Sequence, residues 1–264
     1  MPEGHTIHRA ARDQARALAG HRVAVSSPQG RFAAGAGLVD GTELATVEAW
    51  GKHLFYRFAG DRTVHVHLGL FGTWWRHSPP PPETHRQVRL RLAGPGAVFD
   101  LTGPTACDVL GPHDVDAIIA RLGPDPLRAD ADPERAWAKL SRRRGPIGVA
   151  IMDQSLVAGV GNVFRAEALY TRRIHPLRPA RTLDHDEWEA LWTTLVTMLR
   201  RGVQSRRIVT VDPGDPDVAD VADGRTRYVY KQEHCARCGT SIRRWDLAGR
   251  WAYACECCQP PWAG

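Results

Sequence analysis

Apolar positions follow two different periods along this chain, and the change comes near residue 125. In residues 3–19, Ile7, Ala10, Ala11, Ala15 and Leu18 fall near one face of a helix. Short apolar runs follow at 23–26, 44–49, 53–59, 63–69, 72–76, 88–92 and 97–101. Many of their residues are β-branched or aromatic, and Gly, Asp and Pro lie between them. This pattern predicts an antiparallel β-sandwich. In the run 63–69, Val64, Val66 and Leu68 share one face, and His65 and His67 share the other. The histidine pair could ligate a metal, but packing or hydrogen bonding at the strand surface is the favoured reading. The stretch SPPPPE at 78–83 reads as a polyproline-like loop, which cannot be a central strand.

Gly123-Pro124-Asp125-Pro126 and the polar residues after it predict a linker over 124–132. The pattern then becomes helical. Residues 133–142 form one predicted helix. Asp184 is placed to cap a second over 187–203, with Glu187 completing a capping box. Trp188, Leu191, Trp192, Leu195 and Leu199 make its apolar stripe. Between these helices an apolar run over 147–156 leads into Ala158-Gly159-Val160-Gly161-Asn162, and another helix runs to about Tyr170. Two helices joined by a glycine-rich turn expose backbone N–H groups at a helix start, which suits phosphate. Residues 212–223 are acidic, contain Pro and Gly, and predict a mobile loop. The expected fold is an α+β multidomain chain. It has an N-terminal β-sandwich with an N-terminal helix (1–123), the linker, a helical DNA-binding domain (133–227) and a C-terminal zinc ribbon (228–264).

Charge adds a partner. The net charge of +6 and a pI near 9.2 point to a polyanion. The excess is uneven: residues 1–125 hold 13 basic against 12 acidic groups, and residues 126–264 hold 22 against 17. Only Lys52, Lys139 and Lys231 are lysine among 35 basic residues. In a chain that otherwise uses Arg, a lysine marks a place where a proton can move. Five of the six cysteines lie in the last 30 residues. Cys235-x-x-Cys238 and Cys255-x-x-Cys258 have the spacing of a tetrahedral Zn²⁺ site closed by four thiolates. Cys257 is an alternative ligand, but the paired spacing favours Cys258. Residues 241–247 and 250–254 then read as the ribbon hairpin, with Arg243, Arg244 and Arg250 projecting. No signal peptide or membrane-spanning apolar run is found, and the cysteine spacing suggests metal rather than disulfides, so a cytoplasmic protein is expected; a monomer is expected as well.

The N-terminus carries the reactive chemistry. Trimming of Met1 before the small Pro2 would leave a secondary amine. An α-amino group titrates near 7.7–8.0, so a sizeable fraction is free near neutral pH. Proline suits a first helical position, and the helix dipole there lowers the amine's pKa further. Condensation of such an amine with an aldehyde gives an iminium, cationic without a proton.

Pro2-Glu3-Gly4, the Gly51-Lys52 turn, Gln154-x4-Gly159-Val160-Gly161-Asn162 and the four-cysteine hairpin with Arg250 occur together, in this order. In this combination the chain resembles the Fpg/Nei family of DNA glycosylases over nearly its whole length. The resemblance implies a β-sandwich, a helix-two-turns-helix domain and a zinc finger. It implies a bifunctional glycosylase and AP lyase acting on damaged DNA in base excision repair. Pro2 would attack C1′ and form a Schiff base, and Glu3 would be the acid/base at the opened sugar, with a pKa above the usual carboxylate range. Lys52 matches the family's hairpin lysine, and Asn162 and Arg250 match its phosphate clamps. Leu70 and Phe71 match the loop that fills the gap left by the extruded base. β,δ-Elimination would follow.

Two features select the branch. Residues 103–110 read GPTACDVL and lack the Fpg-type segment that carries an arginine and a phenylalanine. Leu70-Phe71-Gly72-Thr73-Trp74 is closer to endonuclease VIII (Nei). That implies oxidised pyrimidines as substrates, and a bacterial-type, nucleoid-associated enzyme. Two positions depart from the family: His5-Thr6 stands where Pro-Glu is usual, and Gly69 replaces a larger residue. A non-catalytic zinc-ribbon DNA-binding protein would need neither Pro2 nor Glu3. A small tautomerase with an N-terminal proline would not need the cysteines.

Overall fold

The computed structural model describes residues 2–212, 214–215, 218 and 226–263. They form two compact units, 1–121 and 122–264. The first begins with helix α1 (Gly4–Leu18), which buries Ile7, Ala11 and Leu18. Eight antiparallel strands follow: β1 (His21–Ser26), β2 (Thr42–Trp50), β3 (His53–Phe58), β4 (Arg62–His67), β5 (Thr73–His77), β6 (Val88–Ala93), β7 (Val98–Thr102) and β8 (Ala106–Leu110). Their order across the sheet is β5-β7-β6-β1-β2-β3-β4-β8. Strand β1 divides its pairing. Residues 21–23 bond to β2 and residues 24–26 bond to β6, so one strand serves both layers of the sandwich. Alternation puts Leu90 and Leu92 of β6 and Leu54, Tyr56 and Phe58 of β3 into one core with α1. The Tyr56 hydroxyl donates to Gln14 Oε1 of α1 at 2.8 Å, which satisfies two polar groups inside that core.

Three elements here were not expected from the sequence. Helix α2 (Ala33–Val39) contains two glycines, which lower its intrinsic propensity. Helix α3 (Pro112–Ala120) starts at a proline. Strand β8 comes from the GPTACDVL segment and pairs in register with β4. The tertiary sheet, not local preference, makes it a strand.

The second unit holds α4 (Pro133–Leu140), α5 (Ile147–Ala150), α6 (Asn162–Thr171), α7 (His185–Ser205) and the hairpin β9 (Arg243–Asp246) and β10 (Trp251–Ala254). The start of the expected linker, Pro124 through Pro126, is buried, as are Leu122 and Gly123 before it. The Gly123 N–H donates to the Gln154 carbonyl at 2.9 Å, and a Cβ at Gly123 would collide with the Leu156 backbone. The apolar run 147–156 is helical only over Ile147–Ala150, because Asp153 turns the chain by accepting from Ser155 N at 2.9 Å. Helix α7 carries the expected capping box of Asp184 and Glu187, and its tryptophan and leucine stripe is buried. Two hydrophobic clusters lie in this unit. One is built on α4–α7, and the other joins Tyr170 of α6 to Tyr228, Tyr253 and Cys255. Of the loop expected at 212–223, only Asp212, Gly214, Asp215 and Val218 fall within the described residues. Among the described residues, no helix is long and apolar enough to cross a membrane.

Candidate active site and nucleic-acid interface

In the first unit, α1 begins one residue later than the sequence suggests. Glu3 is the N-cap, with extended backbone, and Pro2 precedes it instead of occupying the first helical position. The Glu3 carbonyl starts the helix, accepting from Thr6 N at 2.9 Å. Its carboxylate makes no capping bond, and the residue is 0% exposed. A carboxyl so enclosed beside Pro2 is held apart from bulk water. His5, where the family usually has proline, is buried one turn in. Burial, with the charges of Arg9 and the N-terminus, pushes its pKa down to about 4. The Thr6 hydroxyl lies 3.2 Å from His5 Nε2.

Helix α1 packs on β2, whose end turns at Gly51-Lys52 into β3. Gly51 has φ 58°, a conformation that favours glycine. The turn therefore sets Lys52 at the head of β3, beside His53 and His67, which are paired across the strands. His53 Nδ1 lies 2.8 Å from His65 Nε2, and the two rings stack. Burial lowers His53 to about 3 and His65 to about 4. These are neutral, hydrogen-bonded histidines. Among the described residues they belong to no group that could hold a metal.

Leu70 and Phe71 lie in the β4–β5 connection, 52% and 83% exposed. The departure at Gly69 has a physical reason. Its φ is 64°, and a Cβ there would collide with the Thr105 hydroxyl.

In the second unit the Gly-rich turn is tied by Gln154. Its Oε1 accepts from Gly159 N at 2.9 Å, and its Nε2 donates to Val160 O at 3.0 Å and Met152 O at 2.9 Å. That clamp explains a glutamine five residues before the glycine. Asn162 then opens α6. Its Nδ2 donates to the Trp251 carbonyl at 3.0 Å, and its Oδ1 accepts from Arg165. The structure thus brings Asn162 to the residue next to Arg250.

Sequence reasoning missed two buried charges in α6, because charges are read as surface. Arg165 donates to Trp251 O at 2.8 Å and Gly148 O at 3.2 Å. Glu167 accepts from the backbone N–H of Tyr228 at 2.7 Å, Val229 at 2.9 Å and Tyr230 at 2.7 Å, and from the Thr210 hydroxyl. The carboxylate thereby holds the irregular segment that leads to the cysteines.

Cys235, Cys238, Cys255 and Cys258 gather at the base of the hairpin, with all four sulfurs within 4.8 Å of one another. Cys235–Cys258, Cys238–Cys258 and Cys238–Cys255 Sγ separations are 3.8, 3.6 and 3.4 Å. A tetrahedron with metal–sulfur bonds of about 2.3 Å has edges of about 3.8 Å, so this set can hold one metal ion. Cys257 is exposed and outside the cluster. Tyr170 Oη lies 2.9 Å from Cys235 Sγ, a hydrogen bond that would orient this sulfur toward a metal held by the cluster.

Comparison with known proteins gives the chain its place. The formamidopyrimidine-DNA glycosylase N-terminal domain matches residues 1–104, and the H2TH domain of the same glycosylase matches residues 122–212. Endonuclease 8 1 of Mycobacterium tuberculosis is 45% identical over 267 residues, covering 98% of this chain and 100% of the relative. Formamidopyrimidine-DNA glycosylase of Thermomicrobium roseum is 33% identical, covering 82% of each. The structure of Lactococcus lactis Fpg in complex with abasic-site DNA superposes with a TM-score of 0.80 at 19% identity. It covers 98% of this chain and 100% of that one, a likeness of fold. The chain belongs to the Fpg/Nei family of DNA-repair glycosylases, on its endonuclease VIII-like branch.

Proposed function

We propose that this chain is a bifunctional DNA glycosylase and AP lyase that removes oxidised pyrimidines. The observation that carries the reading is the pairing of Pro2, at the chain start, with the fully buried Glu3 carboxyl as its immediate neighbour. Loss of Met1 frees the secondary amine. Its lone pair attacks C1′ of the damaged nucleoside, the C1′–base bond breaks, and the base departs with the electron pair and takes up a proton. Glu3 protonates the sugar ring oxygen as its bond to C1′ opens. The amine proton is lost and an iminium remains. Proton removal from C2′ sends electrons into the iminium and expels the 3′ phosphate, and a second elimination expels the 5′ phosphate.

Lys52 is the basic group of the β2–β3 turn, assigned to the backbone beside the lesion and to proton transfer. Asn162 and Arg250 grip phosphates. Leu70 and Phe71, exposed and apolar, take the space of the extruded nucleotide. The four-thiolate set fits Zn²⁺, and its role is structural, since protein sulfurs fill the tetrahedron. Damaged DNA is the partner, with a monomeric enzyme acting on it.

Borohydride trapping on an abasic oligonucleotide tests the nucleophile. Wild-type protein should be trapped, and Pro2→Gly or an N-terminal tag should cut the trapping rate by at least about a thousandfold. Undiminished trapping by the tagged protein would assign the nucleophile to Lys52 instead.

A further inference from the structure

The hairpin beside the Asn162 anchor carries an exposed aromatic residue that the proposed chemistry does not use. Trp251 is 51% exposed at the start of β10. Arg244 pairs opposite Tyr253, and Trp251 is two residues from Tyr253, so the three share one face of the hairpin. The Arg244 guanidinium lies over the Trp251 ring, 4.6 Å from its centroid. Asp246, also on this face, points its Oδ1 at the turn, accepting from Gly249 N at 3.2 Å. The backbone of Trp251 is fixed as well. Its carbonyl accepts from both Asn162 and Arg165 of α6.

We infer that Trp251 and Arg244 form a stacking platform for an unpaired nucleobase, next to the phosphate gripped by Arg250. This rests on the DNA-repair reading above. Arg243, Arg244 and Arg250 make the hairpin complementary to a polyanion. Arg250 is the residue before Trp251, so a phosphate held there lies within about one nucleotide's length of the indole. An indole with a guanidinium over its ring and much of its surface open offers a base what single-strand binding sites use: a π-face, with a cation behind it. The platform is built before binding, because α6 holds its backbone, so little ordering cost remains. Paired bases are already stacked in the duplex and gain less. The occupant is therefore a base in a single-stranded, frayed or bubble region near the lesion.

The test uses the full chain with its metal bound and two probes: a single-stranded oligonucleotide and a fully paired duplex, both with a tetrahydrofuran abasic analogue. Equilibrium anisotropy is read for wild type, Trp251→Leu and Trp251→Phe. Leucine keeps apolar bulk without a π-face, and phenylalanine keeps the face. Trp251→Leu should lose about tenfold in single-strand affinity and less than about twofold on the duplex, and Trp251→Phe should recover most of the loss. An equal loss on both probes, or no loss on either, overturns the platform and leaves the repair reading standing. The same follows if wild type binds the duplex but not the single strand, or if leucine and phenylalanine behave alike. Wild-type protein that binds neither probe overturns the repair reading and this inference with it.

Discussion

The two units hold their polar residues by different means. In the first, the polar groups near the chain start and the Lys52 turn are enclosed away from water, the histidines hydrogen-bonded to close neighbours. Glu3 is fully enclosed, and His5, His53 and His65 are kept neutral by burial. In the second, buried polar groups are held by dense hydrogen bonding around fixed backbone. Arg165 serves three acceptors, Glu167 serves four donors, and four sulfurs gather within 4.8 Å of one another. Desolvation changes a group's protonation behaviour, which suits acid/base work. A saturated network fixes position, which suits a grip on phosphate. The difference implies that damage to the first unit alters chemistry and damage to the second alters affinity.

The largest expected effect falls on Glu3. Glu3→Gln should slow single-turnover base excision by about 10²–10⁴-fold while affinity for abasic-analogue duplex stays within about twofold. A variant that binds poorly but excises normally at saturation would reverse the division, leaving Glu3 a structural carboxylate at a helix start. Next comes the metal. Cys238→Ser, or chelation, should release the ion and disorder the hairpin. DNA affinity should fall on the order of a hundredfold, with the far-ultraviolet signal of the sheet retained. Full affinity without metal would remove the cysteine hairpin from the interface.

Acid should separate the units. His5, His53 and His65 titrate below the ordinary value near 6.5. Between those values the unfolded chain binds more protons, so their contribution is complete above about pH 6.5 and declines toward pH 3–4. The limit is about 1.4 kcal/mol per pH unit for each histidine. In the second unit burial also lowers His175, whereas His185 at the start of α7 is shifted upward by Glu134 and has the opposite sign. Amide exchange measured between pH 7 and 5, corrected for intrinsic rates, should show protection in β3 and β4 falling faster than in α7. Parallel decline would show that burial of the histidines does not set the acid limit.

The smallest effect belongs to Arg250, which is exposed. Arg250→Ala should weaken damaged and undamaged DNA alike by roughly tenfold and make the salt dependence shallower by about one phosphate contact. A loss confined to damaged DNA would place Arg250 in lesion recognition and blur the contrast.

Much of this could be read from the chain, for reasons that differ by region. Short runs of β-branched and aromatic residues, separated by Gly, Asp and Pro, located seven strands. The cysteine spacing located the cluster because a tetrahedron leaves little freedom. Helix α7 announced itself through Asp184 and Glu187. Other features had no local signature. The helical content of Ala33–Val39 hides behind Gly35 and Gly37. Strand β8 exists because β4 offers it an edge. Residues 122–126 have the composition of a linker, and only the close approach to the Gln154–Leu156 backbone shows that they are packed. Arg165 and Glu167 are the clearest case: most of their partners are main-chain groups, as far as 86 residues away, which no local pattern records.

The order of the large sheet also bears on solubility. A sheet of eight strands with β5 and β8 at its ends presents two rows of backbone groups that could template addition of a foreign strand. Helices α2 and α3 both pack against β8. Strand β5 is guarded by sequence: it has only five residues, carries Arg76, and runs within two residues into Pro79–Pro82, which have no N–H to donate. The proline run therefore acts as a stop against intermolecular sheet growth, protecting the unit from aggregation at its more open margin.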